Sequence, residues 1–163
     1  MIVAVDFDGI CVSNEYPSIG ENIGAADVLR KIIDSGNDLI LWTHRFNTYK
    51  HNNFMQSVVD EHHLDDAVNW FKNREIPLLG INENPNQSKE DAKYKGRGYQ
   101  WSGSKMVYAD VVINYYGIGV PLKFDYKISD LPIADWQKIE SWLTDMKIIK
   151  PPKKADTLGG FSF

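Results

Sequence analysis

The sequence predicts an α/β fold in which helices cover both faces of a mainly parallel central sheet. Short apolar runs alternate along the chain with segments whose apolar residues recur at helical spacing. The apolar runs also lack the polar alternation of a half-exposed strand, so both of their faces are expected to be buried. Buried strands separated by helices are typical of a parallel sheet packed between helical layers.

The length of the chain indicates one domain. With 163 residues, 43% of them hydrophobic, the chain can bury one core well and is short for two. We expect this domain over residues 1–146, with loop insertions at about 46–63 and 82–104. Residues 147–163 are expected to form an extended tail, because Pro151 and Pro152 cannot continue a helix.

The first strand and helix follow from hydrophobic spacing. A buried strand is expected over about Ile2 to Asp6, and a helix over about Ala25 to Ser35. Gly36 then supplies a left-handed stop. The stripe that predicts this helix consists of Ala25, Val28, Leu29, Ile32 and Ile33, at the spacing of one buried face.

The later elements repeat the pattern. Further strands are expected over 38–43, 78–81 and 111–113. A helix striped by Leu64, Ala67, Val68 and Phe71 should end before Pro77. A final helix over about 133–146 carries Ile133, Trp136, Ile139, Leu143 and Met146 at spacings of three and four.

The segments 46–63 and 82–104 are long for simple connections and follow strand ends, so they are candidate lids. In the first, Phe54, Met55, Val58 and Val59 predict a short amphipathic helix that covers the ligand, packs on the core or contacts another subunit. The second mixes basic and aromatic residues that suit phosphate and a stacked base, although a polar loop is an equal alternative. These residues are Lys93, Tyr94, Lys95, Arg97, Tyr99 and Trp101.

Composition narrows the classes of function. No apolar stretch approaches the roughly 18 residues of a membrane span, and we expect a soluble, cytoplasmic protein. The net charge of −4 argues against extended binding of duplex nucleic acid, which depends on many basic residues. Cys11 is the only cysteine, which excludes an internal disulfide and a thiolate metal cage.

Polar residues that suit phosphoryl chemistry follow the predicted strands. Asp6 and Asp8 lie at the carboxyl end of the first strand, one residue apart, so their side chains should face the same way. Gly9 lets the backbone turn away. Thr43 ends the second predicted strand and Lys105 precedes the fourth. Open α/β sheets bind ligands at this edge, so the four residues are expected to form one site.

This order of motifs resembles the haloacid dehalogenase superfamily of phosphotransferases. The family has an Asp-x-Asp strand end, a Ser or Thr strand end, a Lys, and a late acidic strand end. The resemblance covers nearly the whole chain and is closest to the small, largely cap-free members found in bacteria and phages. Further segments that support it are Tyr16-Pro17-Ser18-Ile19-Gly20, Asp65-Asp66-Ala67-Val68-Asn69-Trp70-Phe71, Gly80-Ile81-Asn82-Glu83-Asn84-Pro85 and Gly119-Val120-Pro121-Leu122.

The resemblance implies a role for each residue. Asp6 would attack phosphorus and become an aspartyl phosphate, and Asp8 would protonate the leaving oxygen and later activate water. Thr43 and Lys105 would bind the transferring group, with His44 and Arg45 also expected to contact the substrate. Mg²⁺ would be held by Asp6, the main-chain carbonyl of Asp8 and the late strand end.

The late strand end departs from the family pattern. Where an acidic pair is expected, the chain has Asn114 and Tyr115. An amide oxygen can ligate Mg²⁺, but a neutral ligand forgoes about 4 kcal/mol per unit charge at 4 Å and an effective dielectric of about 20. Tyr115 is expected to fill space or stack on the ligand. Asp110, earlier on the strand, is too far along it to serve as a ligand.

Three functions therefore compete. The first is a Mg²⁺-dependent phosphatase for a small phosphorylated metabolite or nucleotide. The second is an impaired relative that binds such a ligand without turning it over. The third is a phosphatase for nucleic-acid ends, which the acidic charge disfavours. The expected partner is a small phosphorylated ligand, and a homo-oligomer is left open.

Overall fold

The computed structural model describes residues 1–52, 57–89 and 106–151. Its elements, in chain order, are β1 (Ile2–Val5), α1 (Ala25–Asp34), β2 (Asp38–Leu41), β3 (Asn47–Asn52), β4 (Ser57–His62), α2 (His63–Lys72), β5 (Gly80–Ile81), β6 (Val111–Ile113), β7 (Leu122–Lys123), β8 (Ile133–Ala134) and α3 (Trp136–Asp145). Within these described ranges, no helix is long and apolar enough to cross a bilayer.

The central sheet is parallel and has the order β5-β2-β1-β6. Val5 pairs with Leu41 on one side and with Ile113 on the other, so the ends of β1, β2 and β6 lie side by side. All four residues of β1 are buried, as expected for an apolar strand in the middle of a parallel sheet. The predicted α/β fold with a parallel sheet flanked by helices, in the manner of a Rossmann-like three-layer sandwich, is confirmed.

The core lies on both faces of β1. One cluster joins Val3 and Val5 to the apolar stripes of all three labelled helices. A smaller cluster of Ile2, Ala4 and Ile40 lies on the other face, where Trp42 and Leu79 are among the side chains that cover it. The predicted stripe of α1 therefore packs on the sheet, and Gly36 follows the helix with φ of 85°, as a left-handed stop requires.

The final helix begins later than the sequence predicts. Ile133 and Ala134 form β8, which pairs with β7, and the helix begins at Trp136. The Asp135 side chain accepts the backbone N–H of Lys138 and so caps the helix. Ile133 is buried in the core as part of β8, and the buried stripe of a helix would also have an apolar residue there. Hydrophobic spacing alone therefore could not show where the helix begins.

The amphipathic helix expected within 46–63 is wrong, because β3 and β4 form an antiparallel hairpin. Val58 and Val59 lie on β4, opposite His51 and Lys50, while Phe54 and Met55 lie outside the described residues. Neighbouring β-branched residues favour a strand, and this preference prevails over the helical spacing.

Two other segments are described only in part. Residues 90–105, which include Lys93–Trp101 and Lys105, lie outside the described residues, as do residues 152–163 of the tail. At the start of the tail, Ile148 and Ile149 are buried in the main core. The packed part of the chain therefore continues a few residues beyond the expected boundary at 146.

Candidate active site at the carboxyl edge of the sheet

Asp6 lies where β1 leaves the sheet. Its backbone N–H donates to the carbonyl of Ile113 at 2.9 Å, and its carboxylate accepts the N–H of Phe7 at 2.8 Å. The residue is only 5% exposed. Burial raises the pKa of Asp6, and the charge of Asp8 adds to this effect, while the amide of Phe7 and the neighbouring His44 oppose it. A buried carboxylate at this edge has the setting expected of a reactive group.

Thr43 follows β2 and is held by its backbone. Its N–H donates to Oδ1 of Asn82 at 2.8 Å, and its Oγ1 accepts the N–H of Arg45 at 3.2 Å. The N–H of Asn82 donates in turn to the carbonyl of Leu41 at 2.7 Å. Among the described residues, the Thr43 hydroxyl donates to no acceptor, so its hydrogen is available for a further bond. Asn82 therefore positions Thr43. In the sequence, Asn82 was notable only as part of the segment Gly80-Ile81-Asn82-Glu83-Asn84-Pro85.

Asp8 is bound by Arg45 in a two-point contact. Arg45 Nε donates to Asp8 Oδ2 at 2.8 Å, and Nη2 donates to Oδ1 at 2.6 Å. This fork is the strongest geometry for pairing a guanidinium with a carboxylate. Each oxygen of Asp8 therefore accepts one N–H from Arg45, and this fork fixes the orientation of the carboxylate.

Arg45 itself is buried and nearly saturated. Only 2% of the residue is exposed, and the guanidinium also donates to the carbonyls of Pro17 at 3.1 Å and Ser18 at 2.7 Å. The rings of Phe7 and Tyr16 lie 4.9 Å and 5.3 Å from its Cζ. Arg45 thus ties the loop around Pro17 to Asp8. Although Arg45 lines the cavity, these contacts leave it little capacity to bind a substrate.

The end of β6 brings Asn114 next to Asp6 in the register of the sheet. Oδ1 of Asn114 accepts the N–H of Tyr116 at 2.8 Å, which closes a tight turn. Asp110 lies at the other end of β6, where its carboxylate accepts the N–H of Ile2 at 2.7 Å. Asp110 therefore lies at the edge of the sheet opposite Asp6.

Tyr115 packs on the turn that carries Asp8. Gly9 has φ of 76°, and a Cβ at this position would lie 2.2 Å from Cδ2 of Tyr115. Gly9 is therefore required both by its conformation and by the ring against it. The tyrosine that lines the cavity is the next residue, Tyr116, and not the predicted Tyr115. Hydrophobic spacing cannot distinguish two adjacent tyrosines in a turn.

These residues surround an open cavity of about 540 Å³. Asp6, Asp8, Thr43, His44 and Arg45 line it, and His44 is exposed. The remaining lining residues are Asn14, Tyr16, Phe46 and Tyr116. The structure therefore brings together five of the residues that were predicted from the sequence to form the site. Lys105 lies outside the described residues, and its place in the site stays a prediction.

The oxygen donors at this edge suit a hard divalent cation in kind, although they carry little charge. Asp6 offers a carboxylate, Asp8 a main-chain carbonyl, and Asn114 an amide oxygen that already accepts one N–H and has a second lone pair. Among the described residues, no three or more His, Cys, Asp or Glu side chains gather as a metal site. The ligand set that the family resemblance implies contains only one carboxylate side chain, so it does not amount to a group of three such residues. The kinds of donor atom therefore fit a hard cation such as Mg²⁺, and a single carboxylate supplies the charge.

Comparison with known proteins supports the fold. No family model matches the chain, and no curated protein matches it. A solved structure of a conserved protein from Bacteroides thetaiotaomicron is similar, with a TM-score of 0.59 and 25% sequence identity. The match covers 90% of this chain and 91% of that protein. The similarity thus extends over most of both chains and carries no statement of activity.

Proposed function

We propose that the protein is a Mg²⁺-dependent phosphohydrolase of the haloacid dehalogenase type, acting on a small phosphorylated metabolite or nucleotide. The observation that carries this proposal is the convergence of Asp6, Asp8 and Thr43 on one cavity at the carboxyl edge of a parallel sheet. That edge is where open α/β sheets bind their ligands. The matching order of motifs in the sequence supports the same reaction.

In the proposed reaction, a carboxylate oxygen of Asp6 attacks phosphorus as the bond to the leaving oxygen breaks. Asp8 gives its proton to that oxygen, and then takes a proton from the water that attacks the aspartyl phosphate. This second attack releases phosphate and restores Asp6. The hydroxyl of Thr43 donates to a phosphoryl oxygen, and Lys105 is proposed to balance its charge. Bound by Asp6, the Asp8 carbonyl and Asn114, Mg²⁺ would offset the like charges of carboxylate and phosphate.

The Arg45 fork sets a condition on this reaction. Both oxygens of Asp8 accept from Arg45, so a proton for the leaving group must be held on a carboxylate lone pair outside this fork. This observation favours a second candidate, a receptor that binds a phosphorylated ligand without turnover. The neutral Asn114 in place of an acid points the same way.

The two candidates are separated by measuring phosphate release with Mg²⁺ from an aryl phosphate and a panel of nucleotides. The variants are Asp6→Asn, which removes the nucleophile, and Asn114→Asp, which restores a charged ligand. Asp34→Asn is the matched control, since it makes the same change at an exposed position on α1.

For the hydrolase, we expect release from the unaltered protein and the control, and loss of at least about a thousandfold in Asp6→Asn. Asn114→Asp should increase the rate at limiting Mg²⁺. Full activity in Asp6→Asn would reject Asp6 as the nucleophile. Release by Asn114→Asp alone would instead favour the receptor.

A further inference from the structure

Three aromatic side chains around the cavity are exposed to solvent. Tyr16 is 50% exposed, Phe46 58% and Tyr116 75%, and all three line the same cavity as Asp6 and Asp8. Large aromatic rings are normally covered in a folded domain, because exposing them forgoes hydrophobic stabilisation. An aromatic rim beside a polar floor is suited to a ligand that has one charged end and one flat apolar end.

Two of the rings are held in place. The ring of Tyr116 packs edge-on against Tyr115 at 5.3 Å, and its backbone N–H is bound by Asn114. Tyr115 is fixed in turn against Gly9. The ring of Tyr16 contacts the guanidinium of Arg45 and packs edge-on against the ring of His63, whose centroid is 5.3 Å away. Contacts thus restrain two of the three rings, which lowers the entropy cost of stacking on them.

The cavity is also larger than a phosphate group alone requires. Its volume of about 540 Å³ lies within the range of sites that hold small organic ligands. Because Asp6 is buried, a phosphate that reacts with it must lie at the inner part of the cavity. The space beside Phe46 and Tyr116 is thus left for the rest of the molecule.

We infer that the site takes phosphate esters that carry a planar aromatic group, such as a nucleobase, and that this group stacks on Tyr116. The inference rests on the proposed function for the phosphate end of the ligand and requires no turnover. Stacking of a base on an aromatic side chain contributes about tenfold or more to affinity.

The test measures binding in Asp6→Asn, which prevents turnover, by calorimetry in the presence of Mg²⁺. The probes are the ribonucleoside monophosphates and ribose 5-phosphate, which differ only in the base. We expect at least one nucleotide to bind about tenfold more tightly than ribose 5-phosphate. Adding Tyr116→Ala should remove most of that difference and leave the affinity for ribose 5-phosphate unchanged.

The matched control is Tyr126→Ala, because Tyr126 is also 75% exposed but stacks on Phe124 and does not line the cavity. This variant should keep the preference for the nucleotide. The inference is overturned if no nucleotide binds more tightly than ribose 5-phosphate, or if Tyr116→Ala leaves the preference intact. Phosphate release without a base preference would reject this inference alone, while a base preference without release would reject only the hydrolase.

Discussion

At the level of single residues, the partners of Arg45 could not be predicted from the sequence around it. The sequence places it two residues after Thr43, and an arginine there suits a phosphate. In the structure it binds Asp8 and the carbonyls of Pro17 and Ser18 instead. Whether an arginine pairs with a ligand or with a carboxylate depends on how closely two loops approach. That distance is set by the sheet and cannot be read from local sequence.

The first prediction concerns Arg45→Met. The substitution leaves the Asp8 carboxylate without its partner in a largely buried site, so the free energy of unfolding should fall by about 3 kcal/mol. Urea denaturation measures this fall. Arg30→Met is the control, because Arg30 pairs with Asp27 at the surface and should contribute less than about 1 kcal/mol.

A second change tests the cause of that loss. If the unpaired charge is responsible, Asp8→Asn combined with Arg45→Met should be more stable than Arg45→Met alone. Equal stability of the two variants would instead attribute the loss to the contacts of Arg45 with Pro17 and Ser18 and with the rings of Phe7 and Tyr16.

At the scale of elements, the hairpin β3–β4 is attached to the helix that follows it. Oδ1 of Asn47, the first residue of β3, accepts the N–H of Leu64 at 3.1 Å and of Asp65 at 3.2 Å. Its Nδ2 donates to the carboxylate of Asp65 at 2.8 Å. Asn47 thus performs the role of a helix cap from outside α2, whose own N-cap residue, His62, makes no side-chain cap.

We therefore predict that Asn47→Ala destabilises the first turn of α2. The loss of the cap should cost about 1 kcal/mol and increase amide hydrogen exchange at Leu64 and Asp65. Asn73→Ala is the control, since Asn73 is exposed at the other end of α2. Unchanged exchange at Leu64 and Asp65 in Asn47→Ala would show that the hairpin does not support the helix.

At the scale of the whole molecule, the position of an element in the core could be predicted where apolar residues recur at regular spacing. The apolar run of β1 and the stripe of α1 predicted their positions in the core, and the acids at the end of β1 predicted the edge at which the cavity lies. The hairpin was not predictable, because Val58 and Val59 fit either spacing. Tyr116 was also missed, since the direction of a side chain in a turn depends on the backbone around Asn114.

The ionisation of Asp6 should make the stability of the whole protein depend on pH. Burial raises the pKa of Asp6 above the ordinary value of 3.8, so the unfolded chain releases this proton more readily. The contribution of Asp6 to stability is fully present below that ordinary value and is lost as the pH rises through the folded-state pKa. At neutral pH, its ionisation is therefore a net cost.

Asp6→Asn should accordingly raise Tm at pH 7 in the presence of a chelator, by about 2–4 °C for each kcal/mol relieved. The gain should shrink as the pH falls towards 3.8. Asp34→Asn, at an exposed position, should leave Tm unchanged across this range. A gain in Asp6→Asn that does not vary with pH would contradict the prediction.

The central place of β1 also has a consequence for how the protein is made. Its backbone bonds on one side to β2 and on the other to β6, and Ile2 bonds to Asp110, 108 residues later. Contacts of such separation slow folding, because a long loop must close first. During synthesis, the edge of β1 that pairs with β6 therefore remains unpaired until β6 has left the ribosome. We expect the nascent chain to depend on chaperones during that interval, and native protection of β1 to appear only after residue 113 has emerged.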